Sequence, residues 1–116
     1  VSQIRANGGW VMVNEVTTGM GRTGEWFGYQ HYGIAPDIVA MGKGLGNGYP
    51  VSATAVSVDV AARLADAPIA YSQSHQNDPL GAAIALEVIR VIREENLIER
   101  GRMLGAFLMD GLEAVR

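Results

Sequence analysis

The sequence predicts an α/β sheet with buried strands, in which short strands come first and long helices follow. Two short, continuous apolar runs, WVMV (10–13) and IVAM (38–41), are typical of strands covered on both faces. A third run, VSATAVS (51–57), alternates and is rich in β-branched residues, which also favours a strand. The apolar residues of 78–95 recur at helical spacing instead.

The predicted helices have recognisable ends. VSQIRANGG (1–9) is typical of the end of a helix that is closed by glycine. VDVAARLAD (58–66) predicts a short helix with Asp59 near its start. In the next helix, Asp78 stands at the N-cap and Pro79 at the first helical position.

The last segment, 97–116, repeats the helical periodicity but contains Gly101, Gly105 and Gly111. Glycine weakens a helix, so we expect a bend or a close packing contact there. We expect this final helix to lead into another domain, because it has no sheet partner in the chain.

Composition excludes several classes of function. The chain has 116 residues and a formal net charge of −3, without the basic stripe that phosphate neutralisation needs, so we expect no nucleic-acid partner. No apolar stretch approaches the roughly 20 residues of a membrane span. The absence of cysteine excludes disulfides and Cys-ligated zinc. The first residue is valine, and we expect the chain to be an internal fragment of a longer protein.

One glycine-rich stretch invites a dinucleotide-binding interpretation. Residues 19–24, GMGRTG, fit G-x-G-x-x-G and follow a predicted strand. A dinucleotide fingerprint needs a helix at the third glycine, and Gly28, Gly33 and Pro36 interrupt any helix there. The segment 17–24 is therefore predicted to be a tight glycine loop.

Lys43 is the single lysine of the chain and stands between two glycines after the second strand. The pattern is not a P-loop, because no glycine lies five positions before Gly42 and Gly44 replaces the required Ser or Thr. The residues alone leave two interpretations open. Lys43 is either an exposed turn residue or a partly desolvated amine that acts as a nucleophile. A lysine of the second kind can form a Schiff base with pyridoxal phosphate, and glycines let the cofactor approach closely.

The surrounding motifs resemble those of class III aminotransferases, the ornithine, acetylornithine and 4-aminobutyrate transaminase group. They are VNEVTTGMGRTG (13–24), PD (36–37) and KGLGNGYP (43–50). In the same order, the family has a strand ending in Asp-Glu-Val/Ile-Gln-Thr-Gly, then Gly-Arg-Thr-Gly, Pro-Asp and the lysine motif. The resemblance covers nearly the whole chain and implies a fold-type I large domain, with a mainly parallel sheet and helices.

The resemblance also implies a domain organisation. Residues 1–95 are expected to be part of the domain that binds pyridoxal phosphate, and residues 96–116 to form the helix leading into the C-terminal small domain. The full-length protein is expected to be a cytoplasmic homodimer. The family's phosphate-cradling loop and ring-stacking aromatic lie upstream of this segment, and its substrate-carboxylate Arg lies downstream. The 116 residues alone are therefore expected to be inactive.

Five residues receive roles by resemblance. Lys43 corresponds to the Schiff-base lysine that also shuttles the proton, and Val16 would lie against one face of the pyridine ring. Ser74 stands where the family has a Thr that reaches a cofactor phosphate across the dimer interface; an ordinary loop hydroxyl is the open alternative. Asn14 replaces the Asp that pairs with the pyridine nitrogen, and Thr17 replaces the Gln near the cofactor's phenolic oxygen.

The replacement at Asn14 matters most, because a neutral amide supplies no charge to hold the ring nitrogen protonated. Glu15 is a poor substitute, since neighbouring strand residues point to opposite faces, and we expect it to brace a nearby loop. Thr17 is shorter than Gln and is expected to reach the phenolic oxygen only through water.

Four further polar residues have weaker patterns. Arg22 is expected to orient the glycine loop, and Asp37 to cap or turn the chain before a strand. His31 and His75 lack metal-ligand spacing, and we predict no metal site. His75 keeps an open alternative role near the cofactor phosphate.

The implied activity is transfer of an amino group from an amino acid or amine to a 2-oxo acid or aldehyde. Two alternatives stay open. One is a related aminomutase or decarboxylating enzyme of the same family. The other is a catalytically weak relative that binds pyridoxal phosphate, or a truncated protein that acts only through its dimer surface; both are suggested by Asn14.

Overall fold

The computed structural model describes residues 1–68 and 71–116 as a three-stranded sheet with four α-helices. The strands are β1 (Met12–Asn14), β2 (Ile38–Met41) and β3 (Ala53–Val56). The helices are α1 (Ser2–Ala6), α2 (Val58–Asp66), α3 (Pro79–Glu94) and α4 (Leu97–Ala114). Two 3₁₀ turns, Gly28–Tyr32 and Lys43–Leu45, precede and follow β2. The predicted α/β class is confirmed, and the predicted strands and helices are all present.

The sheet has the order β1-β2-β3 and is mixed. Strand β1 pairs with β2 in parallel, with Asn14 opposite Ala40. Strand β2 pairs with β3 in the antiparallel sense, with Met41 opposite Ala53. The carboxyl ends of β1 and β2 therefore meet at one edge of the sheet, together with the amino end of β3. We call this the lysine edge, because Lys43 follows β2 there.

The strands are less covered than their apolar sequences predict. Met12 of β1 is 63% exposed, and all four residues of β3 are exposed. The expectation of a strand covered on both faces is therefore wrong for the first apolar run, whereas β2 is partly buried, with Val39 buried. The buried apolar side chains are Val39, Leu45, Val60 and Ile92.

The helix caps follow the sequence closely. The Asp78 side chain accepts a hydrogen bond from the Leu80 N–H at 3.2 Å, which confirms the predicted N-cap of α3. Helix α2 is capped by Ser57, whose hydroxyl accepts from the Val60 N–H at 3.3 Å. The sequence pattern indicates only Asp59 near that end and does not indicate the Ser57 cap.

Helix α4 runs without interruption through its three glycines. A Cβ on Gly101 would lie 3.6 Å from the carbonyl oxygen of Gly21, whereas Gly105 and Gly111 face open space. The expectation was a bend or a close contact, and among these glycines a close contact occurs at Gly101 alone. The first two turns of α4 thus rest against the glycine loop, while residues 100–116 are exposed.

Candidate active site

Lys43 opens a tight turn directly after β2. The N–H of Leu45 donates to the Gly42 carbonyl, and the N–H of Gly46 donates to the Lys43 carbonyl, both at 3.0 Å. Leu45 is buried and anchors the turn, while the Lys43 side chain is exposed. Lys43 has φ +43°, in the left-handed region that costs a non-glycine residue roughly 1 kcal/mol or more. The backbone thus holds Lys43 in a conformation that the chain does not adopt freely.

Packing of the chain on itself explains two glycines of the lysine motif. A Cβ on Gly46 would collide with the carbonyl oxygen of Tyr49, and a Cβ on Gly44 would lie 3.2 Å from the Cβ of Met20. The sequence alone suggests that these glycines allow close approach of a cofactor. In the structure these glycines are needed for packing within the chain. They let the lysine turn close and let the glycine loop lie against it.

Three of the predicted site residues lie at or just after the end of β1, at the same edge. The Asn14 side-chain oxygen accepts the Val16 N–H at 3.1 Å, which fixes the direction of the Asn14 amide. The Val16 Cγ1 lies 3.6 Å from the Cβ position of Gly42, beside the lysine. The Nζ of Lys43 donates a hydrogen bond to the Thr17 Oγ1 at 2.9 Å. The lysine edge therefore brings Asn14, Val16, Thr17 and Lys43 together.

Glu15 braces the loops that surround this edge, as the sequence predicts. Its side chain is buried and accepts hydrogen bonds from the Thr18 hydroxyl, the Gly28 N–H at 3.0 Å and the Tyr29 N–H at 2.8 Å. Burial raises the pKa of Glu15, but the three hydrogen bonds, together with the nearby charge of His31, hold the pKa below its ordinary value of 4.5. The carboxylate is therefore ionised and joins the glycine loop to the 3₁₀ turn Gly28–Tyr32.

We expect Glu15→Gln to lower the free energy of unfolding by about 2 kcal/mol, since Gln turns an NH₂ group toward donors that need an acceptor. The measurement is the urea midpoint of the full-length protein without cofactor at pH 7. Glu95→Gln is the matched control, because Glu95 is exposed at the end of α3 and its replacement should leave the midpoint unchanged.

The cost of Glu15→Gln should also depend on pH. A carboxylate whose pKa is lowered on folding contributes stability that is complete above its ordinary pKa of 4.5 and is lost as the pH falls through the folded value. The difference between wild type and Glu15→Gln should therefore be constant above pH 5 and shrink below pH 4.5. An equal difference at pH 3 and pH 7 would contradict the role of the charge.

Helix α4 fixes the far side of the glycine loop. The Arg102 guanidinium donates to the Gly24 carbonyl at 2.7 Å and pairs with Glu25 at 3.1 Å. The Ile98 side chain lies against Gly21, whose Cβ position is 2.9 Å from the Ile98 Cγ1. No local sequence pattern indicates these supports, because Arg102 and Gly24 are 78 positions apart in the chain.

Several weaker candidates have structural roles. Asp37 accepts a hydrogen bond from the Val11 N–H at 2.8 Å and pairs with Arg5 at 3.1 Å, which confirms its place as a cap before β2. The Val11 hydrogen bond, helped by Arg5, holds the pKa of Asp37 below its ordinary value. His31 contacts the Thr23 hydroxyl at 3.1 Å. The Arg22 Nε lies 3.6 Å from the Cβ position of Gly44, in keeping with an orienting role in the loop.

Ser74 is not part of the lysine edge in this chain. It is exposed and begins a turn over residues 74–77, next to a hydrogen bond from the Gln76 N–H to the Gln73 carbonyl at 3.1 Å. No hydrogen bond joins Ser74 to Lys43, Asn14 or Thr17 within the described residues. The role of Ser74 at the cofactor phosphate stays a prediction.

An apolar cavity lies near the lysine turn, and Lys43 is not among its lining residues. It measures about 540 Å³ and is lined by apolar side chains from the glycine loop, the sheet and α3, among them Met20, Phe27, Leu45 and Leu86. These side chains offer no nucleophile, acid or base, so the lysine edge is the better candidate site.

Within residues 1–68 and 71–116 there is no cluster of three metal-ligating side chains. None of the helices described there is long and apolar enough to cross a bilayer.

A family model described as aminotransferase class-III matches residues 3–116, which is nearly the whole chain. The chain belongs to the class III aminotransferase family. Class III aminotransferases depend on pyridoxal phosphate. Among curated relatives of this aminotransferase chain, the acetylornithine aminotransferase of Mycobacterium tuberculosis is 43% identical over 108 residues. That match covers 93% of this chain and 26% of the relative.

Solved structures agree with the family assignment. The S-selective transaminase from Arthrobacter sp. with alanine bound matches with a TM-score of 0.92 and 36% identity, covering 98% of this chain and 25% of that one. The ornithine aminotransferase from Toxoplasma gondii, described with partial occupancy of pyridoxal phosphate at its active site, matches with a TM-score of 0.88 and 32% identity over 97% of this chain and 26% of that one. The aminotransferase chain thus spans about a quarter of the length of these relatives.

Proposed function

We propose that this chain is the lysine-bearing segment of a pyridoxal-phosphate-dependent aminotransferase and that Lys43 is the residue that binds the cofactor covalently. The observation that carries the proposal is the position of the Lys43 amine. It projects from a strained turn at the edge where the parallel strands β1 and β2 end, and it contacts Thr17 at 2.9 Å. Ligands of open sheets with parallel strands bind outside the carboxyl ends of those strands.

The residues at the lysine edge fit the cofactor. The Lys43 side chain is exposed, so a carbonyl group can reach its amine. Val16 supplies an aliphatic surface beside Gly42, suited to an aromatic ring. The Asn14 side chain is exposed, and its NH₂ group makes no hydrogen bond within the described part of the chain, so it is free to meet a ring nitrogen.

When bound, the cofactor supplies a conjugated ring that withdraws electrons from the α-carbon of the amino donor. The chain supplies the groups around that carbon. Lys43 Nζ would take the proton from the α-carbon of the donor and pass it to the cofactor, and in the second half of the transfer it would move a proton back to the α-carbon of the product. Val16 and the glycine turn exclude water from one side of the ring, and Glu15 keeps the loop behind them in place.

The remaining parts of the proposal concern the full-length protein. Its amino donor is an amino acid or amine, and its acceptor is a 2-oxo acid or aldehyde. It forms a homodimer in which Ser74 reaches the cofactor phosphate of the partner subunit, and α4 leads into a small C-terminal domain. A cytoplasmic location also stays a prediction.

Reduction with borohydride tests the assignment of Lys43. In the full-length protein loaded with pyridoxal phosphate, borohydride should fix the cofactor on the peptide that contains Lys43, as identified by mass spectrometry. Omission of borohydride is the control, because the unreduced linkage hydrolyses during digestion. A fixed cofactor on a different lysine, or on none, would overturn the proposal.

A further inference from the structure

We propose that Thr17 is a positioning residue that holds the Lys43 amine in place while the amine is free, and that it acts through the lysine instead of binding the cofactor oxygen. The observation is the hydrogen bond of 2.9 Å from Lys43 Nζ to Thr17 Oγ1. The inference rests on the proposed function for its role in the reaction, but the restraint on the amine is a property of the chain alone.

The two side chains are brought together by fixed backbone. The parallel register places Asn14 opposite Ala40, and the Glu15 N–H donates to the Ala40 carbonyl at 2.9 Å. The N–H of Gly19 then donates to the Glu15 carbonyl at 2.9 Å, which closes the turn that contains Thr17. Lys43 stands at the start of its own tight turn. Neither residue can move far without breaking these backbone hydrogen bonds.

Threonine is well suited to this task. Its branched Cβ restricts χ1, so the direction of its hydroxyl is largely set before the lysine arrives. A lysine side chain carries about 2 kcal/mol of rotamer entropy and samples many positions when it is unrestrained. The hydroxyl can accept from the charged amine and donate to the neutral amine, so the contact persists in both protonation states.

The contact with Lys43 suggests a different role for Thr17 from the one that the resemblance implies. The resemblance suggested that Thr17 is too short to reach the cofactor's phenolic oxygen without water. The structure directs its hydroxyl to the lysine instead. Each time the cofactor passes to the substrate, Lys43 is released, and a held amine stays near the carbon whose proton it must move.

The test compares two reactions of Lys43 in the full-length protein without cofactor, with wild type, Thr17→Val and Thr17→Ser. The first is the rate at which pyridoxal phosphate attaches, followed by visible absorbance. The second is the rate at which formaldehyde and cyanoborohydride methylate Lys43, followed by peptide mass spectrometry. Thr23→Val is the matched control, because its hydroxyl lies in the same loop and contacts His31 instead of the lysine.

Thr17→Val should slow attachment of pyridoxal phosphate about three- to tenfold. The bound aldehyde has a fixed position, and an unrestrained amine spends less of its time there. Formaldehyde diffuses freely, so its reaction with the released amine should be faster than in wild type. Thr17→Ser keeps the hydroxyl but loses the branched Cβ, so both of its rates should lie between those of wild type and Thr17→Val. Thr23→Val should match wild type in both reactions. Turnover of Thr17→Val should fall while the KM of the amino donor is unchanged.

Two results would overturn the inference. Equal formaldehyde rates for Thr17→Val and wild type would show that the hydroxyl does not restrain the amine, whatever happens with pyridoxal phosphate. Equal slowing of both reactions would show that Thr17 alters the reactivity of the amine and not its position. Failure of wild type to attach pyridoxal phosphate at Lys43 would instead overturn the proposed function, and the formaldehyde rates would still decide the restraint.

Discussion

Lys43→Ala in the full-length protein should lower the turnover number of amino transfer about a thousandfold or more, because the variant loses the amine that we propose moves the proton at the α-carbon of the donor. The same variant should bind pyridoxal phosphate without a covalent link, so borohydride should leave no cofactor on the protein. The measurements are steady-state turnover with an amino donor and a 2-oxo acid, and the visible spectrum of the loaded protein.

Two controls separate the chemistry of the amine from its charge. Lys43→Arg keeps a positive charge in the turn but provides no nucleophile near neutral pH, so its turnover should fall as far as that of Lys43→Ala. Added methylamine should restore part of the activity of Lys43→Ala and none of that of Lys43→Arg, whose side chain fills the space. Turnover above one tenth of wild type in Lys43→Ala would contradict the assigned role.

Local patterns predict the ends of elements well, because the groups that cap a helix lie next to it in the chain. Asp78 and Pro79 mark the start of α3 in the sequence and in the structure. The direction of β3 also had a local signal. Only residues 42–52 separate β2 from β3, which is short for the crossover that a parallel pair requires and favours the observed antiparallel pairing.

Local sequence patterns could not predict how exposed the strands are, nor the long-range contacts that hold the site together. An apolar run indicates that a strand is covered in the complete fold. This chain spans about a quarter of its relatives' length, so the segments that would cover the strands need not be part of it. The contact between Lys43 and Thr17 joins residues 26 positions apart and depends on the register of β1 and β2. Register is a property of the assembled sheet, so sequence motifs can name candidate residues but not the hydrogen bonds between them.

The direction of the Asn14 amide leads to the second large expected effect. Its oxygen accepts the Val16 N–H at 3.1 Å, so the group left for a ligand is the NH₂, which can only donate. The resemblance implies that residue 14 faces the pyridine nitrogen of the cofactor. A donor at that place pairs with an unprotonated ring nitrogen, and an unprotonated ring withdraws electrons less strongly.

Asn14→Asp should therefore raise the rate of proton removal from the amino donor on the order of tenfold or more, which corresponds to at least about 1.4 kcal/mol of barrier. One carboxylate oxygen can accept the hydrogen bond from the Val16 N–H, as the Asn14 oxygen does. The other oxygen can then accept a hydrogen bond from the protonated ring nitrogen. The rate is measured as a single turnover by stopped-flow absorbance. The protonation of ¹⁵N-labelled pyridoxal phosphate in each variant is measured by NMR.

Asn47→Asp is the control for charge alone. Asn47 is exposed at φ +46° in the turn after Lys43, and aspartate tolerates that conformation. It adds the same negative charge near the lysine edge but not at the end of β1, so it should change neither the rate nor the ¹⁵N shift. If Asn14→Asp protonates the ring nitrogen and leaves the rate unchanged, protonation of the ring does not limit this enzyme. If the ring nitrogen is already protonated in wild type, Asn14 does not present its NH₂ group to the ring, and the hydrogen bond to Val16 must break when the cofactor binds.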